Sequence, residues 1–321
     1  PRLAAAIDAV AARRTRNPEA GDRSPMTFVV PDRELESLET QVKEALRSAD
    51  DKALTVLGYG EVTLVLKLET SRGDFACKRL PIFPTQERFE RYAQSFYEYI
   101  ARLEVGGVRV APTQLWSTSH PSGGIAAYCV QETLPSERLC SRLLHTEGDG
   151  WAEDFFGRFL DCVDGAVSSS LGLDAQASNW VDLDGELVYL DITTPLMRDD
   201  RGREELDVRL FFTSLPWLLR DAVRVSMTKS IFDKFYSTRG VVLDFLGNLH
   251  KERLEKLVPA YLSRVNPRLD VPLTEDEVAD YYREDARMWE MIQRLRKADR
   301  FWHRRIRRRS YPFLLPPDVD R

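Results

Sequence analysis

The sequence predicts an α+β protein of two lobes: a small antiparallel sheet carrying one helix, followed by a larger, mainly helical part. Three observations predict it. Between Thr55 and Glu132 short strand-like runs alternate with turn residues, and a single amphipathic helix pattern interrupts them. After Leu134-Pro135 the apolar period lengthens, with Trp151, Phe155, Phe159, Val163 and Val167 recurring every four residues. The chain has 321 residues, 43% hydrophobic and 30% charged, which is enough for two lobes around one cleft and excludes a disordered, collagenous or coiled-coil chain.

Residues 1–26 read as an N-terminal extension, a short Ala-rich segment followed by the breaker-rich stretch Arg16 to Pro25. A first lobe is expected over 27–134. Its strands are Thr55 to Gly60, Val62 to Leu68 and Phe75 to Leu80, with a turn at Ser71-Arg-Gly-Asp74. The helix runs from Gln86 to Leu103, where Phe89, Ala93, Phe96, Ile100 and Leu103 share a face. Two more strands, near Pro112 to Thr118 and Ile125 to Glu132, flank the turn His120-Pro-Ser-Gly-Gly124. The second lobe is expected over 135–321, and one of its helices starts at the capping-box pattern Thr274-Glu-Asp-Glu277.

Several function classes fall away on composition. There are 46 Lys and Arg against 51 Asp and Glu, a net charge of −5, so no global basic excess points to nucleic acid. Four cysteines without a CxxC pair suggest neither a disulfide framework nor a zinc site, and with no apolar run of membrane-spanning length they point to a cytoplasmic protein with no membrane partner. One local exception is Arg300-Phe-Trp-His-Arg-Arg-Ile-Arg-Arg-Arg309, six arginines without an acid. It reads either as a solvated helix end or as a site for an acidic partner, a phosphorylated substrate or, weakest of these, nucleic acid.

The residues that carry chemistry lie in four places. Gly58-Tyr-Gly60 joins two strands, and a hairpin without side chains at those positions lets backbone amides approach phosphate oxygens. In Ala76-Cys-Lys78 the alternation of a strand puts a small residue and an ammonium on one face, room for a flat ring beside a group that reaches its phosphates. Asp174 and Asn179 can divide two tasks, the carboxylate facing an acceptor hydroxyl and the amide oxygen ligating a metal. After a turn at Asp184-Gly185, the apolar strand Leu187 to Leu190 ends in Asp191, a second metal oxygen.

In this order the set resembles the protein-kinase-like superfamily, closer to the aminoglycoside and choline kinase-like phosphotransferases than to typical Ser/Thr protein kinases. The resemblance covers about Val56 to Thr194. It implies a two-lobed protein-kinase-like fold, ATP or GTP with Mg²⁺, and phosphoryl transfer to a hydroxyl of a small molecule or a dedicated peptide. Lys78 would orient phosphates, Asp174 would orient and deprotonate the acceptor, and Asn179 and Asp191 would hold metal. A carboxylate of the Gln86 helix should pair with Lys78; among Glu87, Glu90, Glu98 and Glu104 the preferred residue is Glu98, with Glu90 the fallback. Tyr128 to Leu134 would form the strand and hinge, where Gln131 and Glu132 hold an adenine edge through backbone groups. The pattern also departs from the family: Gly172-Leu173 stand before Asp174 without the usual His, Ile192-Thr193 follow Asp191 in place of Phe-Gly, and Thr63 replaces the third glycine. No Ala-Pro-Glu follows. These departures keep open a second reading, a non-catalytic kinase-like module that binds a protein or peptide.

Overall fold

The computed structural model describes residues 30–48, 52–59, 64–121, 123–207 and 232–306. The 1–26 extension, Gly60 and the arginines from Arg307 to Arg309 lie outside the described residues. The protein has the expected α+β architecture. A five-stranded antiparallel sheet has the order β1-β2-β3-β6-β5, from β1 (Val56–Tyr59), β2 (Leu64–Thr70), β3 (Gly73–Arg79), β5 (Thr113–Ser119) and β6 (Ile125–Glu132). A second, three-stranded sheet joins the two-residue β4 (Arg109–Val110) to the hairpin of β7 (Trp180–Leu183) and β8 (Glu186–Tyr189). Asp184 (φ 54°) and Gly185 (φ 92°) close that hairpin, both in the left-handed region that a two-residue turn needs and that Asp-Gly supplies.

Alternation along the strands divides the first sheet into two faces. Leu64 and Leu66 of β2, Phe75 and Cys77 of β3, and Tyr128 and Val130 of β6 are buried together against a helix that sequence analysis passed over, α1 (Asp32–Ser48). Its Leu35, Leu38, Val42 and Ala45, at spacings of three and four, form the matching stripe. Within this apolar layer sits one acid. Glu39 is 1% exposed, accepts two bonds from Arg79 at 2.9 and 3.0 Å, and accepts a third from the Tyr128 hydroxyl at 2.7 Å. Burial pushes the Glu39 carboxyl up, but the hydrogen bonds and charge of Arg79, with the Tyr128 hydroxyl, outweigh it and hold the group below its ordinary value.

The opposite face of the sheet belongs to the main core. Helix α2 (Gln86–Val105) follows β3, as its apolar spacing predicts, and Thr85 caps it by accepting from the Arg88 amide at 3.3 Å. Its buried face, Phe89, Tyr92, Phe96, Tyr99, Ile100 and Leu103, merges with the helical part of the chain in one cluster. Among the described residues that part comprises α3 (Cys140–Thr146), α4 (Asp149–Ala166), α5 (Thr238–Lys251), α6 (Val258–Val265) and α7 (Glu275–Phe301). Phe156 of α4 stacks on Tyr261 of α6 with ring centroids 4.0 Å apart, and Phe159 meets Phe245 of α5 at 4.4 Å. At α7 only half of the capping box forms: Thr274 accepts from the Glu277 amide at 3.1 Å, while the Glu277 carboxylate turns to Arg239 at 2.7 Å.

Glu39→Ala strands the Arg79 charge in an apolar layer and is expected to cost about 3–5 kcal/mol, read by denaturant unfolding. The lowered carboxyl also sets a sign. Its contribution is complete above the ordinary glutamate value of about 4.3 and is lost as pH falls through the lower folded value. The acid limb of a melting-temperature profile should therefore be shallower in Glu39→Gln than in the wild type.

Candidate active site

Lys78 leaves β3 on the face away from α1, because it alternates with Cys77 and Arg79, which face α1. There its Nζ lies 2.8 Å from Asp191 Oδ1, an ion pair between residues 113 apart in sequence. Asp191 stands two residues beyond β8 and is held from behind by Thr193, whose hydroxyl donates to the same oxygen at 2.9 Å. Burial alone would raise the Asp191 carboxyl. The Lys78 charge and hydrogen bond, joined by the Thr193 hydroxyl and amide, hold it below the usual carboxylate range.

The loop before Asp174 is fixed by backbone bonds. Gly172 donates to the Leu196 carbonyl at 2.8 Å and Leu173 to the Phe235 carbonyl at 3.0 Å. A Cβ at Gly172 would lie 3.1 Å from both Leu196 Cβ and the Phe235 oxygen and 3.2 Å from the Tyr236 ring, so the space a larger residue would need is filled. The Asp174 carbonyl accepts from Asn179 Nδ2 at 3.0 Å and from the Tyr189 hydroxyl at 2.9 Å. The Asn179 carbonyl in turn accepts from the Leu190 amide at 2.9 Å, which ties it to the residue before Asp191. With the Asn179 amide nitrogen committed to Asp174, its side-chain oxygen is the atom that can meet a cation.

Helix α2 reaches both acidic segments through two phenols seven residues apart. Tyr92 donates to the Thr193 carbonyl at 2.9 Å and Tyr99 to the Gly172 carbonyl at 3.0 Å. Both phenols are held well above their ordinary value, first by burial; the next contributions are Cys129 and Asp191 at Tyr92, and Asp174 and Asp191 at Tyr99. Tyr189 is raised by burial and then by Tyr99, Asp174 and Asp191. The geometry is in the hydrogen bonds: α2 is tied to the backbone two residues before Asp174 and two residues after Asp191. Nothing in the sequence pattern singles out Tyr92, Tyr99, Tyr189 or Thr193. On an apolar helix face a tyrosine reads as core, and nothing in the spacing tells what its hydroxyl meets.

The helix carboxylate expected beside Lys78 is absent from that position. Glu98 pairs with Arg102 one turn along its own helix, and Arg102 also lies 4.0 Å from Glu205. Glu90 is exposed and accepts from Gln86 at 3.0 Å. The reason is rotational: Tyr92 and Tyr99 define the inward face, and one residue back from Tyr99 is about 100° around the helix. Gln131 also differs from expectation. Its backbone is paired with Ala76 on one side and Thr113 on the other, while its side chain donates to the Leu190 carbonyl at 3.0 Å and bridges the sheet to the Asp191 segment. Glu132 ends β6 opposite Phe75, and the chain leaves the sheet at Thr133. Gly58 pairs with Val65 in β1, with nothing within 4 Å of where a Cβ would stand.

Among the described residues no three His, Cys, Asp or Glu side chains gather as a metal cluster, and no helix is long and apolar enough to cross a membrane. A family model described as "Family of unknown function (DUF6206)" matches residues 37–300. No curated protein matches the sequence. Similar solved structures include a WaaP protein in complex with acyl carrier protein, at 14% identity and a TM-score of 0.33, covering 77% of this chain and 91% of that one. They also include the MAP kinase LmaMPK10 from Leishmania major, at 10% identity and a TM-score of 0.31, covering 82% of this chain and 99% of that one.

Removing one hydroxyl from the α2 pair leaves a buried carbonyl short of a donor at unchanged ring packing. Tyr92→Phe and Tyr99→Phe are each expected to cost about 1–3 kcal/mol in denaturant unfolding.

Proposed function

The chain belongs to the family of unknown function (DUF6206), and we propose that it is a kinase-like phosphotransferase, passing the γ-phosphoryl group of ATP or GTP to a hydroxyl of a small molecule or a dedicated peptide. The observation that supports this reading is the Lys78–Asp191 pair at 2.8 Å, with Asn179 bonded to the Asp174 carbonyl and, through its own carbonyl, to Leu190 beside Asp191. Phosphoryl transfer asks little covalent chemistry of a protein: an ammonium for phosphates, oxygen ligands for a cation, and a carboxylate for the acceptor hydroxyl. The donor set fits Mg²⁺, which binds through one or two protein oxygens and otherwise keeps water and phosphate oxygens. Asn179 and Asp191 would hold it, and when bound it would neutralise charge on the phosphates. Lys78 exchanges its carboxylate for phosphate oxygens when nucleotide enters. Asp174 orients the acceptor hydroxyl and takes its proton, on a loop that Tyr99, Tyr189 and Asn179 keep in place. The domain reading follows: 27–134 binds nucleotide, and 135–321 carries the catalytic loop and shapes the acceptor site.

A second reading, a kinase-like module that binds a partner without catalysis, rests on one observation. Lys78 has Asp191 rather than a helix carboxylate as its counter-ion, so the two charges meant for phosphate and metal neutralise each other.

Calorimetry separates the two. Mg-nucleotide should bind the wild type, Asp191→Ala should weaken that binding by about tenfold or more, and Asp174→Asn should leave it within about twofold. With an acceptor found by screening γ-labelled ATP, Asp174→Asn should lose transfer by about 10²–10⁴-fold. Absence of nucleotide binding at millimolar concentration, with and without Mg²⁺, favours the module.

A further inference from the structure

Helix α7 is built unlike the others. Over 27 residues it buries two side chains, Val278 near its start and Arg296. Its contacts with α5 lie near that start, where Tyr281 bonds Asp244 and Tyr282 stacks on His250. Beyond them, Met291, Leu295, Ala298 and Trp302 recur at spacings of four, three and four, and a wider helical turn over Trp302–Ile306 carries the series on to Ile306. Met291 is 48% exposed, Trp302 47% and Ile306 55%, and Phe301 beside them is 62% exposed. The other exposed large apolar residues among those described, Leu57, Val105 and Val271, stand on separate elements.

The charge around this stripe is one-sided. From Met291 to Ile306 the sequence holds one acid, Asp299, against six Lys and Arg. Arg305 is exposed and Arg300 half-buried, a turn apart beside Phe301 and Trp302. Since the chain as a whole carries −5, any attraction to an anion has to be local, and a screening length of about 10 Å lets a local cluster act alone.

We propose that the end of α7 from Met291 to Ile306 is a docking surface for an anionic lipid membrane, with Phe301, Trp302 and Ile306 seated among the headgroups and the arginines on lipid phosphates. Apolar residues flanked by arginine on one helix face are the chemistry of an interfacial helix, which lies on a bilayer without spanning it. A helix surface is convex, and a fluid bilayer moulds to it. An acidic protein would need an apolar groove already shaped to Phe301, Trp302 and Ile306, a requirement that a fluid bilayer does not make. The inference does not depend on the proposed phosphotransferase activity.

Flotation of the full chain with vesicles tests it. Phosphatidylcholine mixed three-to-one with phosphatidylglycerol should bind the protein, phosphatidylcholine alone should not, and added salt should weaken binding. The triple variant Phe301→Ser, Trp302→Ser, Ile306→Ser should keep the wild-type melting temperature and lose at least about tenfold in partition. Trp302→Phe should bind as wild type but lose the fluorescence quenching that brominated lipid gives the wild type. No binding to the anionic vesicles at low salt overturns the proposal. So does a triple variant that partitions like the wild type, or binding without quenching; either result points to charge alone, as for an acidic macromolecule.

Discussion

The Lys78–Asp191 pair is the interaction on which the rest of the site depends. One partner comes from the third strand of the sheet and the other from the end of a hairpin 113 residues later, so no local preference brings them together. What brings them together is packing on both sides. Alternation in β3 turns Phe75, Cys77 and Arg79 towards α1 and leaves Lys78 on the other face. The hairpin delivers Asp191 to that face through its paired strands and the Asp184-Gly185 turn. A one-residue slip of β3 would reverse both faces, burying Lys78 beneath α1 and removing Arg79 from Glu39. The hydrophobic layer against α1 therefore selects the register of the cleft.

Helix α2 joins the two sides by neutral donors. An ammonium–carboxylate contact between helix and strand would couple the helix's position to whatever occupies the cleft. Here Tyr92 and Tyr99 bond backbone carbonyls instead, and Glu98 is occupied with Arg102. The helix position thus follows from buried aromatic packing and two hydroxyls, and Lys78 can change partner without unseating it.

Much of this was legible in the sequence, and what was not has a physical reason. The strands, the Gln86 helix and the Asp-Gly hairpin follow from period and turn chemistry, whereas an approach of Asp191 to Lys78 was implied only by the family resemblance, which gave Lys78 a helix carboxylate as its partner. Helix α1 was overlooked although its stripe of Leu35, Leu38, Val42 and Ala45 is regular, because Glu34, Glu36, Glu39 and Glu44 give the segment the look of a solvated connection. Choosing Glu98 rested on its distance along the chain, whereas the inward face of α2 is decided by rotation about the helix, which the aromatic residues reveal. Gln131 was read for its backbone because hinge recognition is a backbone matter; that its side chain crosses to Leu190 depends on tertiary placement no spacing encodes.

Exposure separates the charges that hold the fold from the pair in the cleft. Glu39–Arg79, Asp182–Arg158 and Lys234–Asp244 each contain an acid with at most 3% of its side chain exposed. Each acid has further partners: Tyr128 for Glu39, Trp151 and the Gly185 amide for Asp182, and Tyr281 for Asp244. Breaking such a pair leaves a carboxylate that water cannot reach, so these contacts are fixed. Lys78 and Asp191 keep 19% and 31% of their side chains exposed. The difference lies in the acid, since Lys78 is no more exposed than Arg158 or Lys234, and water at Asp191 lowers the cost of separating the pair. A pair with a hydrated acid is therefore cheaper to part than the pairs with buried acids that tie α1 to the sheet and α4 to the hairpin.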